Sequence, residues 1–487
     1  MNFRMIRHII GWLLLFECVF LAVPALTAVV YRERVVVYYL GAMALCGLLG
    51  WLCIRRKPPV TALYAREGFV IVAMSWILLS LMGALPLWLS REIPSFVDAL
   101  FETVSGFTTT GASILPKVER LSHAALIWRS FTHWVGGMGV LVFIMAFVPL
   151  SGGRNMHIMK AESPGPSVSK LVPRVRTTAM ILYALYMALT VIEFIFLLCG
   201  RMSVFDALNT AFSTAGTGGF GVRNDGMAGY SNYLQTVVTV FMLLFSINFG
   251  CYYLLLLRRI REAFNAEVRV FLLIVAAAVA VITVDLRLNG VINSVTGESF
   301  TLYGAIHHAA FTVSSLISTT GYATADFDLW PALSKTVLVG VMFLGACAGS
   351  TGGGIKVSRI VLLFKGLKRD LRRILHTREV RPITLDGQRV EEDTISSVSL
   401  FFFAYMIILF FSALIVSLDE LDFTSAFTAS LTCISNVGPG LGLVGPTCNF
   451  GFLSPLSKLV LSFTMLLGRL EIMPLLVLFL PSVWRKK

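Results

Sequence analysis

The 487 residues are 56% hydrophobic and only 14% charged, with a mean hydropathy of +0.80. Such an excess of apolar side chains excludes a soluble globular chain and describes a polytopic membrane protein. The formal net charge of +13 then reads as the positive bias of one membrane face, and no nucleic-acid partner is expected.

In chain order, stretches apolar enough to cross a bilayer, about 20 residues each, fall near 8–30, 36–54, 69–90, 124–149, 177–199, 231–256, 270–288, 333–363, 396–417 and 456–481. The first follows Arg4 and Arg7 as a signal peptide would, but its apolar run is too long and lacks a small-residue cleavage site, so an uncleaved span is expected. Basic clusters lie at Arg55 to Lys57, Lys170 to Arg176, Arg258 to Arg261, Lys356 to Arg381 and Arg485 to Lys487. Ten spans and four re-entrant loops put all of these on the cytoplasmic face with both termini; only Arg32 and Arg34 disagree. The run from Lys365 to Arg381 is the densest, and is expected to be an amphipathic surface helix, either merely solvated or docking an anionic lipid or acidic partner.

Between the spans one motif recurs. Ser105-Gly-Phe-Thr-Thr-Thr-Gly-Ala112 ends its key run on Gly111, and weaker copies end on Gly219, Gly321 and Gly438, roughly 100 to 120 residues apart. Thirteen positions before each glycine, at Asp98, Asp206, His308 and Ser425, a short apolar helix is expected to begin; three of the four are good N-caps. These stretches are too short to span and suit re-entrant helices whose C-terminal ends run into strand-like Thr/Gly segments. Backbone carbonyls and hydroxyls can replace the water around an alkali cation without a fixed charge to trap it. Converging helix C-termini add partial negative potential, and glycine lets successive carbonyls be aimed. The candidate cation ligands are therefore Thr108, Thr109, Thr110 and Gly111; Thr217, Gly218 and Gly219; Ser318, Thr319, Thr320 and Gly321; and Asn436, Val437 and Gly438. The plainer reading has Gly and Thr lining close helix crossings; four copies at one offset weigh against it.

Two further features are costly at membrane depth. Gly345, Gly349, Gly352, Gly353 and Gly354 interrupt the stretch 333–363, where they should break a helix. This run lacks the Gly-Lys-[Ser/Thr] ending of a phosphate loop, and irregular backbone is tolerated where it lines a watery cavity; a packing kink is the alternative. Arg469 in mid-span costs about 2.5–3.5 kcal/mol on an insertion scale, so it should face a polar cavity or a partner. Glu471 lies on another helical face and is a poor local partner for it. Lys356 and Arg359 read as ordinary positive-inside flanks rather than gates, and Glu17 and Glu193 as helix-packing or snorkelling residues, with a proton relay as the alternative. The eight cysteines show no CxxC spacing and the histidines no i,i+4 pair, so neither zinc nor a disulfide framework is expected. No nucleophile and base constellation appears either, which argues against an enzyme.

The organisation is span, re-entrant helix, Thr/Gly segment, span, four times over, in 66–165, 166–262, 263–385 and 386–487, after a two-span hairpin in 1–65. Four segments add to the pattern: Arg129 to Val140 (RSFTHWVGGMGV), Lys160 to Pro166 (KAESPGP), Gly345 to Arg359 (GACAGSTGGGIKVSR) and Leu467 to Ile472 (LGRLEI). With them the chain resembles the Trk/Ktr family of potassium-uptake proteins over essentially its whole length. The KAESPGP loop and the N-terminal hairpin point to the TrkH branch rather than the shorter KtrB branch.

That resemblance implies an all-α fold with pseudo-fourfold symmetry around one pore, whose selectivity filter is formed by the four Thr/Gly segments and holds potassium as the transported substrate. It implies that 345–354 is an intramembrane loop that blocks the pore and must move, with Arg469 as an electrostatic barrier beside it. A homodimer in the bacterial plasma (inner) membrane is implied, with a cytoplasmic TrkA-type nucleotide-binding regulatory subunit that meets 356–381 and 151–176. No organic cofactor is expected in this chain. Asn436 and Val437 replace threonines and Pro439 follows, so a less regular filter with a weaker preference over sodium is expected. Proton- or sodium-coupled symport stays open, since no acidic coupling residue stands out. A transporter of another solute is disfavoured because the repeats present helix C-termini and uncharged oxygens.

Overall fold

A computed structural model describes residues 2–56, 65–139, 175–292, 297, 299–376 and 382–484. The KAESPGP loop, the remainder of the 124–149 stretch, and the clusters at Lys170 to Arg174 and Arg485 to Lys487 lie outside these. Helices α1 (Phe3–Phe20) and α2 (Ala22–Val30) form one apolar span of 28 residues, and α3 (Val36–Ile54) returns beside it. The two cross closely because Gly11 and Gly50 face each other: a Cβ on Gly11 would meet Cys53 and one on Gly50 would meet Leu15.

Four units follow. Each opens on a long apolar helix: α4 (Ala65–Leu89), α7 (Val175–Cys199), α11 (Ala266–Leu288) and α15 (Glu392–Val416). Each then turns into a short helix: α5 (Phe96–Phe107), α8 (Val204–Ala215), α12 (Leu302–Ile317) and α16 (Phe423–Ser435). A third helix leaves each unit: α6 (His123–Gly137), α9 (Asn232–Ser246) continued by α10 (Phe249–Leu256), α13 (Ala332–Leu344) followed by α14 (Val357–Leu375), and α17 (Pro455–Arg469) continued by α18 (Met473–Val477).

The short helices begin earlier than expected. Their caps are Ser95, Ser203, Thr301 and Asp422, whose side chains accept from the amides of Asp98, Asp206, Gly304 and Ser425. Asp98 and Asp206 thus sit in the first turn, where negative charge suits the helix N-terminus; His307 and His308 lie in the second turn of α12 rather than opening it. The Thr/Gly segments after them are not strands either, as described below.

Three of the stretches expected as single spans are broken. The 231–256 stretch bends by 91° between α9 and α10, and 456–481 bends by 118° between α17 and α18. At the first break the Asn248 side chain accepts from the Gly250 amide at 2.7 Å, restarting the chain as a new helix. At the second, Glu471 and Ile472 take φ of 53° and 67°, which no helix continues through. The 333–363 stretch is the largest departure: α13 ends at Gly345 with φ 68°, a loop runs to Lys356, and α14 is the amphipathic basic helix.

Among the described residues, six helices are long and apolar enough to cross a membrane, or up to eight if each bent pair counts as one. Their outward faces carry Leu48, Ile195, Leu273, Phe411 and Leu414, all exposed as lipid-facing residues would be, while the short helices bury Thr103, Thr210, Thr214, Thr312 and Thr432. Polar side chains therefore concentrate where the four short helices meet.

Candidate cation pathway

Each short helix ends the same way. The amide of Thr110 donates to Ser105 O at 2.9 Å, that of Gly218 to Ser213 O at 2.8 Å, that of Thr320 to Ser315 O at 2.8 Å and that of Val437 to Thr432 O at 2.9 Å. This is the six-to-one bond of a Schellman turn. Its left-handed residue is Thr109, Thr217, Thr319 or Asn436, with φ of 56°, 54°, 61° and 55°. Left-handed β-branched residues are strained, and such strain persists only where the surroundings impose it. Two residues later Gly111, Gly219, Gly321 and Gly438 have φ of 79°, 79°, 83° and 99°. With the amides turned back onto their own helix, the carbonyls point away from it.

Those carbonyls meet in a closed order. A Cβ on Gly111 would overlap the Gly218 carbonyl oxygen, one on Gly219 that of Thr320, one on Gly321 that of Val437, and one on Gly438 would press on that of Thr110. Unit one abuts two, two abuts three, three abuts four and four abuts one. All fourteen candidate ligands are thus brought together. Behind the ring, the hydroxyls of Thr108 and Thr110 pair at 2.8 Å and those of Ser318 and Thr320 at 2.7 Å. Asn436 Nδ2 donates to Thr110 Oγ1 at 2.9 Å and to Met465 O at 3.0 Å, tying the fourth copy to the first. A cavity of about 450 Å³ opens on one side of the ring, lined by the four glycines together with Asp225, Asp326 and Asn449.

The loop 345–356 packs against the same segments. The amide of Gly353 donates to Thr319 Oγ1 at 2.7 Å. A Cβ on Gly352 would meet Ser318 O and one on Gly353 would meet Ser435 O, so these glycines let backbone lie directly on backbone. Gly345 and Gly354 close the base of the loop against each other, and Gly349 packs on Asn248. Arg469 crosses to it: Nη1 donates to Thr351 O at 2.8 Å, and Nη2 to Gly136 O at 2.5 Å and Gly137 O at 2.6 Å on α6. The predicted polar surroundings of Arg469 are therefore backbone carbonyls of two units. Only about 70 Å³ of space remains here, lined by Gly137, Gly352, Lys356 and Arg469.

Several participants escaped the sequence reading. Lys356 and Arg359 are not loose flanks: both are buried, Lys356 Nζ donates to Gly352 O, and Arg359 pairs with Glu471 while lying 4.1 Å over the Phe401 ring. Glu471 is 112 residues from Arg359, beyond any spacing rule, whereas Gly352 is only four residues before Lys356 and is brought to it by the non-helical course of the loop. Glu267 Oε1 accepts from the amides of Ala348 at 2.7 Å and Ser358 at 3.0 Å, clasping both ends of the loop. Glu102, inside α5, pairs with Arg129 at 2.8 Å in a buried ion pair and also accepts from the Ile114 amide at 3.0 Å. A second acid in α5, beyond the first turn that Asp98 already occupies, was a signal available in the sequence. Glu17 and Glu193 are fully buried among the spans.

The family described as TrkH, Cation transport protein, matches residues 33–486. The chain belongs to the TrkH family. It is 36% identical over 497 residues to the Trk system potassium uptake protein TrkH of Salmonella typhimurium and to that of Escherichia coli K12, covering 100% of each chain. To the Trk system potassium uptake protein TrkI of Halomonas elongata it is 32% identical, over 98% of this chain and 95% of the relative. The crystal structure of the potassium transporter TrkH from Vibrio parahaemolyticus superposes with a TM-score of 0.88 at 32% identity, covering 100% of both chains. The TrkH resemblance carried by the motifs is thereby borne out, and so is the all-helical polytopic fold; the family is one of transporters, not of enzymes.

Proposed function

We propose that this TrkH-family chain takes up potassium through the carbonyl ring, which acts as a selectivity filter built from four pore-helix repeats around one pore. The observation that carries the reading is the cyclic contact of Gly111, Gly219, Gly321 and Gly438 with the carbonyls of the next copy. Potassium shedding its water in the 450 Å³ vestibule exchanges it for backbone carbonyl oxygens, at the negative ends of four helices. The ring carries no formal charge, so the ion binds without being trapped.

The loop 345–356 is the gate and Arg469 its electrostatic bar. Conduction requires Gly353 to leave Thr319 and the Arg469 guanidinium to leave Thr351, Gly136 and Gly137. A homodimer in the bacterial inner membrane, both termini cytoplasmic, completes the unit. A cytoplasmic TrkA-type nucleotide-binding subunit meeting 356–381 and 151–176 supplies the work of moving the loop. Rubidium uptake into proteoliposomes holding the purified chain, with potassium, sodium or lithium competing, tests this. Block by potassium far better than by sodium or lithium supports the filter; equal block by all three defeats it. Proton or sodium flux in fixed ratio to rubidium would turn the reading to symport.

A further inference from the structure

The second copy of the motif differs from the others in a way the backbone does not demand. Three residues before the final glycine the copies have Thr108, Gly216, Ser318 and Ser435; one residue before it they have Thr110, Gly218, Thr320 and Val437. The second copy alone has glycine at both places. Neither Gly216 nor Gly218 takes a positive φ, so conformation does not select glycine at either. Space does. A Cβ on Gly216 would run into the backbone and Cβ of His133, and one on Gly218 would fall within its imidazole ring.

His133 lies on α6 of the first unit and is fully buried. Its Nδ1 is 2.8 Å from Gly106 O in the last turn of α5. A carbonyl only accepts, so Nδ1 carries the proton and Nε2 is left as a bare acceptor, with no hydrogen bond among the described residues. The ring also lies 4.2 Å from that of Phe220, the residue just after the second copy. The His133 ring thus lies between the end of the first pore helix and Gly218 of the second filter segment, while the His133 backbone crowds Gly216. In copies one and three the same space holds a hydroxyl pair.

We propose that His133 is the missing back wall of the second filter segment: a positioning residue, lent by the first repeat, that holds Gly218 O in the ring and so sets the discrimination between potassium and sodium. The inference rests on the filter reading above. It is tested in the same rubidium assay with three variants: H133A, G218V and H133A/G218V. Valine is chosen because Val437 already occupies this register in the fourth copy.

H133A should keep uptake but lose roughly tenfold in potassium-over-sodium discrimination, about 1.4 kcal/mol. G218V should lose uptake. The double variant, with the valine filling the vacated space, should recover uptake to within about threefold of the parent and restore discrimination, a coupling expected only of residues in direct contact. A double variant no better than G218V, or an H133A protein of unchanged selectivity, overturns the proposal. If G218V fails to assemble, recovery of folded protein in the double variant, read by size exclusion, is the same test. Unselective uptake by the parent chain would instead remove the filter reading itself before any variant is compared.

Discussion

The two faces of the central constriction are built on opposite principles. On one side, the ring is made of four near-equivalent segments, held by local hydrogen bonds that each segment makes to its own helix, such as Thr110 to Ser105 and Thr320 to Ser315. Its lining is neutral. On the other side, the seal is one loop from one unit, held by contacts between residues far apart in the chain: Arg469 with Thr351 and Gly136, Glu267 with Ala348 and Ser358, Arg359 with Glu471. It is rich in charge. On the function proposed above, local bonds would let the ring keep its geometry while a loop held by a few long-range bonds is released as a piece.

That contrast predicts graded consequences. The largest effects belong to the ring: G111S or G321S places a Cβ on the Gly218 or Val437 carbonyl at a positive φ. Rubidium uptake should fall at least about a hundredfold, equivalent to about 2.7 kcal/mol in the barrier, while the amount of protein in the membrane is retained. Normal uptake in both variants would show that the ring is not the conduction path. Next comes the seal. R469A removes charge-assisted bonds to Thr351, Gly136 and Gly137, and basal rubidium efflux should rise roughly tenfold, with potassium selectivity unchanged. Unchanged or lower efflux in well-folded protein would assign Arg469 to packing.

Smaller again is Glu267. E267A should raise basal efflux severalfold, whereas E267Q, which keeps an oxygen able to accept from Ala348 and Ser358, should stay within about twofold of the parent. Equal behaviour of the two variants would mean that the clasp does not hold the loop shut. The smallest effect is expected at the start of α16. The Ser425 hydroxyl and amide hold the Asp422 carboxyl below its ordinary value. A depressed folded value means that this contribution is complete above the unfolded value, about 4, and is lost as pH falls through the lower folded one. D422A should therefore lower stability by about 1 kcal/mol near neutrality, and the difference from the parent, followed by thermal melting, should shrink only in acid below that range.

Much of the ring was legible because its signals are local. A short helix running into a terminal glycine repeats four times, with 16 residues from cap to glycine in copies one, two and four and 20 in copy three, and a backbone that must take a positive φ advertises itself as Gly111, Gly219, Gly321 and Gly438. Even there the caps lay earlier than expected, since Asp98 and Asp206 are first-turn acids behind the true caps Ser95 and Ser203. The breaks at Asn248 and Ile472 were not read from the sequence, because the apolar runs on either side are together long enough for one span; the bends themselves lie at the Asn248 cap and at the positive φ of Glu471 and Ile472. Arg359 was read as a flank because its burial depends on Glu471, over a hundred residues away, and Lys356 because the loop that turns it back onto Gly352 interrupts what reads as one span.

By itself, then, the sequence determined a helical membrane chain, its four short helices, the register of their glycines and the cost of placing Arg469 in an apolar stretch. These follow from periodicity, composition and backbone sterics, which act over a few residues. Only the tertiary structure decided that the four carbonyls meet in a ring, that loop 345–356 packs against Ser318, Thr319 and Ser435 beside it, and that the His133 ring of one repeat takes the space left by Gly218 of the next. Such complementarity between remote segments is a matter of shape and hydrogen-bond geometry in three dimensions, and no spacing along the chain encodes it.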